Sequence, residues 1–193
     1  MTITLLAESE QIRHDRRQRK AELVVNLGLG CNALLAAVKL TAGILGHSQA
    51  LLADGINSIS DVVYFLVVKL FVKLAGKSAD NEHPYGHYQY ETIAALVVGA
   101  FVITTGIAIF WDSINAVFDL MSGMETVSAV KTFTLWVAAG TVLLKILLMV
   151  QARGIGRATN NLAIIALSRD HRNDIFAAAG AGIGILLSMK GFA

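Results

Sequence analysis

Two apolar stretches of this chain carry acidic side chains at a spacing suited to holding a cation. "LLADGINSISDVV" places Asn57 and Asp61 four residues apart, and "ALSRDHRND" does the same with Asp170 and Asp174. Residues at i and i+4 share one face of an α-helix. Facing each other on two helices, the pairs N-x-x-x-D and D-x-x-x-D would present one amide oxygen and three carboxylates to a single point. Three unpaired carboxylates in a low-dielectric interior carry a large desolvation cost, which a divalent cation or protons would remove. A structural alternative exists: Arg169 and Arg172 adjoin Asp170 in sequence and are placed to form salt bridges with Asp170 or Asp174. Asp54 shares the Asn57/Asp61 face and is left outside the first ring of ligands, as a residue that packs through hydrogen bonds or lies nearer the outer surface.

Those stretches must be positioned by apolar elements. The chain has 193 residues, 55% hydrophobic and only 16% charged, and a mean hydropathy of +0.61. Soluble domains carry about a quarter charged residues, so the composition predicts an all-α membrane protein. Its single proline and many glycines suit closely packed transmembrane helices. Five spans of about the required 20 residues are expected: about Leu23–Leu45, Ala50–Leu74, Thr92–Leu120, Val130–Gln151 and Leu162–Met189. Their length, and the lack of ten-residue alternation, favour helices over β-strands. Residues 1–20 form a polar tail and 21–193 the transmembrane domain. Cys31 is alone, which excludes an internal disulfide and a thiolate zinc site. The basic cluster follows the short apolar stretch at the N-terminus, unlike the order in a secretory signal.

Basic residues set the orientation. Arg13, Arg16, Arg17, Arg19 and Lys20 crowd the tail; Lys73 and Lys77 lie between spans 2 and 3, Arg153 and Arg157 between spans 4 and 5. The other two links, "GHSQ" and "MSGMETVS", have none. The N-terminus is therefore expected in the cytoplasm, and five spans leave the C-terminus outside. Lys39, Asp112 and Lys145 fall within apolar stretches and are read as structural pairing residues, the two lysines as partners of carboxylates on other spans. Lys69 and Lys73 are placed to snorkel, and Trp111 and Trp136 to sit at an interface or in packing. No nucleophile–base set, phosphate-binding glycine loop or zincin motif occurs, so no enzymatic activity is expected, and nothing suggests a nucleic-acid partner.

"SQALLADGINSISD", "HPYGHYQYE" and "DHRND", in that order, resemble the cation diffusion facilitator family of divalent-metal transporters. The resemblance implies a six-span bundle followed by a cytoplasmic domain, a homodimer, and export of metal in exchange for protons across the cell's inner or plasma membrane. It places the transport site on Asn57, Asp61, Asp170 and Asp174. Zinc-transporting members often have histidine first in one or both pairs; the all-oxygen set here resembles the manganese branch. Carboxylate and carbonyl oxygens suit Mn²⁺, whereas imidazole suits Zn²⁺. His171, turned about 100° from Asp170, keeps Zn²⁺ and Fe²⁺ as alternatives. Asp80, His83 and His87 match a second metal site in some members. The plainer reading is that "HPYGH" shapes a turn, its histidines capping Glu91 or span ends. Where the family usually has a basic residue between His87 and the glutamate, this chain has Tyr88, Gln89 and Tyr90, so a salt bridge from that residue is not expected. The chain stops after span 5, before the family's sixth span and soluble domain. The expectation is a truncated form or natural fragment, with a membrane partner that binds metal without moving it as the alternative function.

Overall fold

The computed structural model describes residues 2–122 and 130–189, with side chains from Ile12 onward except those of 116, 117 and 119–121. Five helices make up its regular structure: α1 (Thr2–Gly46), α2 (Gln49–Ala75), α3 (Tyr90–Met121), α4 (Phe133–Thr159) and α5 (Leu162–Met189). No strand occurs among the described residues. α1 runs without a break through the expected tail. α4 begins at Phe133 and continues to Thr159, so Arg153 and Arg157, expected in a link, lie on its exposed surface.

Two antiparallel hairpins form the bundle, each with a two-residue connection. Between α1 and α2, His47 takes a left-handed φ of 54°, and the Ser48 hydroxyl accepts from the Leu51 N–H at 3.3 Å to cap α2. Between α4 and α5, Asn160 takes φ 53°, and the Asn161 side chain accepts from the Ile164 N–H at 3.0 Å. An Asn in the left-handed region and a side-chain acceptor at the next N-cap are the usual stop and start of a helix. Gly55 lets α1 and α2 approach: a Cβ there would lie 3.1 Å from the Leu40 backbone nitrogen. Gly156 does the same for α4 and α5, at 3.0 Å from the Ile165 nitrogen. The hairpins pack together through α1 with α4 and α2 with α5, and α3 leans on α2 and α5.

The bundle is polar within and apolar without. Leu34, Ile44, Leu66, Leu96, Ile103, Leu143 and Leu147 face outward. Asn32, Lys39, Ser58, Asp61, Lys145, Asp170 and His171 are buried. This polar layer lies between two apolar clusters. One contains Val24, Val25, Phe65, Val68, Ala152, Ile164 and Leu167; the other contains Ala42, Leu51, Ala138 and Ile185. Such an arrangement fits a hydrocarbon surround, where side chains facing lipid gain nothing from polarity and buried polar groups must satisfy one another. α1, α3 and α4 are long and apolar enough to cross a membrane. At 27 and 28 residues, α2 and α5 have the length, and the charged residues they carry lower their apolarity.

Arg17 fastens one end. Its guanidinium lies 2.6 Å from Glu91 at the start of α3, and its Nε donates at 2.7 Å to the Thr159 carbonyl at the end of α4. Glu91 thus finds a cation on α1. At the opposite end of the polar layer, Lys39 Nζ lies 2.8 Å from Asp54 and donates to the Ser58 hydroxyl at 3.0 Å, as the sequence reading of Lys39 anticipates. Removing one partner of a buried pair strands the other charge, at a cost of about 3–5 kcal/mol, whereas an apolar replacement of both is often near neutral. Asp54→Leu should therefore destabilise the chain strongly, and Lys39→Met/Asp54→Leu should recover most of the loss. Thermal unfolding in detergent micelles, followed by far-UV circular dichroism, checks this.

Candidate metal centre

α2 and α5 carry the four expected ligands onto one cavity. Asn57, Asp61, Asp170 and Asp174 all line an open cavity of about 490 Å³, together with Asn173 of α5 and Val102, Thr105 and Gly106 of α3. The two acidic pairs therefore face a common space. Asn57 is half-buried at its edge, while Asp61 and Asp170 lie deeper.

The carboxylates are not left unpaired. Lys145, fully buried on α4, donates to Asp174, to Asp61 at 3.3 Å and to the Asn32 side-chain oxygen of α1 at 2.6 Å. One ammonium thereby joins all four helices of the two hairpins. Asp170 instead accepts a hydrogen bond from the Tyr64 hydroxyl, whose ring packs 5.0 Å from those of Phe65 and Phe101. The arginine alternative does not hold: Arg169 and Arg172 are exposed on the far side of α5, and no ion pair between them and Asp170 or Asp174 occurs among the described residues.

His171 lies nearer the site than its position on the helix suggests. It is buried, stacks on Phe65 at 5.7 Å, and its Nδ1 lies 3.9 Å from Asp174. That nitrogen has no hydrogen-bond partner among the described residues. Asp170, His171 and Asp174 each offer a ligand atom within 4.8 Å of the others. Tyr64 and Asn32 escape sequence reasoning because neither is charged. Tyr64 had one legible signal, its position three residues after Asp61.

The loop between α2 and α3 gathers the second group. Asp80, His83 and His87 also offer ligand atoms within 4.8 Å of one another, with the imidazoles 3.3 and 3.5 Å from the carboxylate. Asp80 Oδ1 accepts from the backbone N–H groups of His83 at 2.7 Å and Glu82 at 3.1 Å. His87 is buried; its Nδ1 lies 3.2 Å from the Ser78 carbonyl oxygen, and its ring stacks on Tyr90. Gly86 supplies the one positive φ of the loop, 82°. Turn-shaping and ligand-gathering therefore coexist in the same residues, and the histidines do not cap Glu91, which is held by Arg17. The His83 N–H bond, with help from the imidazoles, holds the Asp80 carboxyl below its ordinary range. Its contribution to loop order is thus present above the usual aspartate range and is lost as pH falls through the lowered value.

A buried cluster of carboxylates on facing helices within an apolar-skinned bundle is the signature of a membrane protein with a candidate functional site inside the bilayer. Residues 25–191 match the family described as the cation efflux transmembrane domain, so the chain belongs to the cation efflux, or cation diffusion facilitator, family. It is 32% identical to the manganese efflux system protein MneP of Bacillus subtilis over 91% of this chain and 57% of that protein. MneS, a second manganese efflux system protein of that bacterium, is 29% identical over 87% of this chain and 56% of its own length.

 The uncharacterized transporter YdbO, also of Bacillus subtilis, is 32% identical over 88% of this chain and 57% of its own length. The chain thus spans a little over half the length of these curated relatives.

Separate sites predict separable losses. Asp80→Ala and His87→Ala should each weaken Zn²⁺ binding at the loop about tenfold or more and leave Mn²⁺ binding at the intramembrane cluster unchanged. Isothermal titration of the detergent-solubilised chain with each ion checks this. Unchanged Zn²⁺ binding in both variants would mean that these residues only fold the loop.

Proposed function

We propose that this chain is the metal-handling membrane part of a divalent-cation exporter, with Asn57, Asp61, Asp170 and Asp174 as the transport site and Mn²⁺ as the preferred cargo. The observation that carries the reading is the cavity those four residues share, in which all the expected ligand atoms are oxygens. Such a set favours Mn²⁺ over Zn²⁺, and the names of MneP and MneS agree in direction. The carboxylates would take up protons when the metal leaves, which couples export to a proton gradient. Alternating access would come from rocking of the hairpins around the fixed layer. The basic residues of α1, of the α2–α3 loop and of the end of α4 support a cytoplasmic N-terminus in a cell-membrane protein by the charge rule. Residues 21–193 then form the transmembrane domain, the family's homodimer is the expected assembly, and Asp80, His83 and His87 form an accessory site at the cytoplasmic surface.

A second reading, transport of Zn²⁺ or Fe²⁺, is favoured by one observation: the buried His171 nitrogen without a partner beside Asp174. Uptake of Mn²⁺ and Zn²⁺ side by side into proteoliposomes with an imposed pH gradient tests both. Mn²⁺ uptake that collapses with the gradient, is abolished by Asp174→Ala, and gives way to Zn²⁺ uptake in Asn57→His supports the oxygen-site reading. Uptake that survives Asp174→Ala would remove the carboxylates from the pathway, and Zn²⁺ preference in the unsubstituted chain, lost in His171→Ala, would establish the second reading.

A further inference from the structure

Lys145 is the one buried cation in direct contact with the proposed ligands among the described residues. Its side chain is 0% exposed. The Nζ group is held by Asn32 of α1, Asp61 of α2 and Asp174 of α5, three acceptors from three helices. Two of those acceptors are carboxylates that the transport reading assigns to the cargo, and in each the bonded oxygen is Oδ2. An ammonium and a divalent cation that use the same oxygens repel each other at such range and compete for the same lone pairs. A lysine also has a flexible four-carbon stem, so its charged head can move without moving the helix.

We propose that Lys145 is a tethered counter-cation: its ammonium bonds to Asp61 and Asp174, and the cargo must displace it to bind. The inference rests on the transport-site reading above and adds a positioning residue that sets the strength of metal binding. Asn32 fits this role as a neutral anchor. It holds the ammonium beside the site without adding a further negative charge for the metal. The consequence for transport is that the emptied site is never a bare cluster of anions. The released ligands recapture an internal cation, which weakens metal rebinding and favours release.

The test is Mn²⁺ binding to the full chain in detergent micelles, read by electron paramagnetic resonance of the free ion. Lys145→Gln keeps a polar group and removes the charge. It should bind Mn²⁺ about tenfold or more tightly, whereas Lys145→Arg, which keeps the charge, should not. A purely structural lysine predicts the opposite, looser binding in the glutamine variant. Thermal unfolding supplies a second readout: Mn²⁺ should raise the melting temperature of Lys145→Gln by more than that of the unsubstituted chain, because the ion replaces the missing charge. Equal or weaker binding in Lys145→Gln overturns the inference, and so does a glutamine variant that stays unfolded even with Mn²⁺ present. Asp61→Ala and Asp174→Ala distinguish the two levels of the argument. If they bind Mn²⁺ as well as the unsubstituted chain, the transport-site reading fails and takes this inference with it. If they lose binding while Lys145→Gln shows no gain, only the inference fails.

Discussion

Charge compensation in a low-dielectric interior is the constraint on which the rest of this structure depends. Each buried ion costs several kcal/mol to remove from water, and only close partners offset that cost. The chain meets the requirement with a small set of contacts: Lys39 with Asp54, Lys145 with Asp61 and Asp174, and Tyr64 with Asp170. The apolar clusters above and below this layer hold the helices at the spacing those contacts need. Without the layer, α2 and α5 would have no reason to prefer this rotation, since lipid and helix surfaces are almost equally apolar.

The same compensation shapes the chemistry of the cavity. A cluster of fully paired ions would be structural and closed. Here the pairing is incomplete: Asp170 has a neutral phenol rather than a cation, and the cavity, lined on one side by Val102, Thr105 and Gly106 of α3, is open. The site is thereby stable enough to persist in the bundle and still short of positive charge. The loop cluster solves a different problem. Asp80 and His83 are exposed to water, where desolvation is small, and the backbone itself supplies most of the order through the two N–H bonds to Asp80.

Much of this was legible in the sequence. The i, i+4 pairs on apolar stretches located the cavity, because helical periodicity fixes which side chains share a face. Lys39 and Lys145 declared themselves as charges in apolar runs that needed partners. What periodicity does not carry is the relative rotation of helices distant in the chain. Lys145 was therefore expected to pair with some carboxylate, yet its position at the meeting point of Asn32, Asp61 and Asp174 depends on four helices at once. Arg169 and Arg172 were sequence neighbours of the acidic pair and turned out to face away, since adjacent helical residues point about 100° apart. Arg17 reached Glu91 from a segment that sequence reading treated as a tail, because its apolar content gave no sign that the first helix continues through it.

The two short connections have a consequence for how such a chain enters a membrane. Each hairpin contains its own lysine–aspartate pair: Lys39 and Asp54 in the first, Lys145 and Asp174 in the second. Contacts within a hairpin close small loops and form early, whereas contacts between hairpins wait for docking. Each hairpin can therefore cancel one pair of charges on its own while crossing into lipid. Within the polar layer, the bonds from Lys145 to Asn32 and Asp61, and from Tyr64 to Asp170, join one hairpin to the other. The buried polar cluster is thus also the seam of assembly, completed when two separately inserted halves meet.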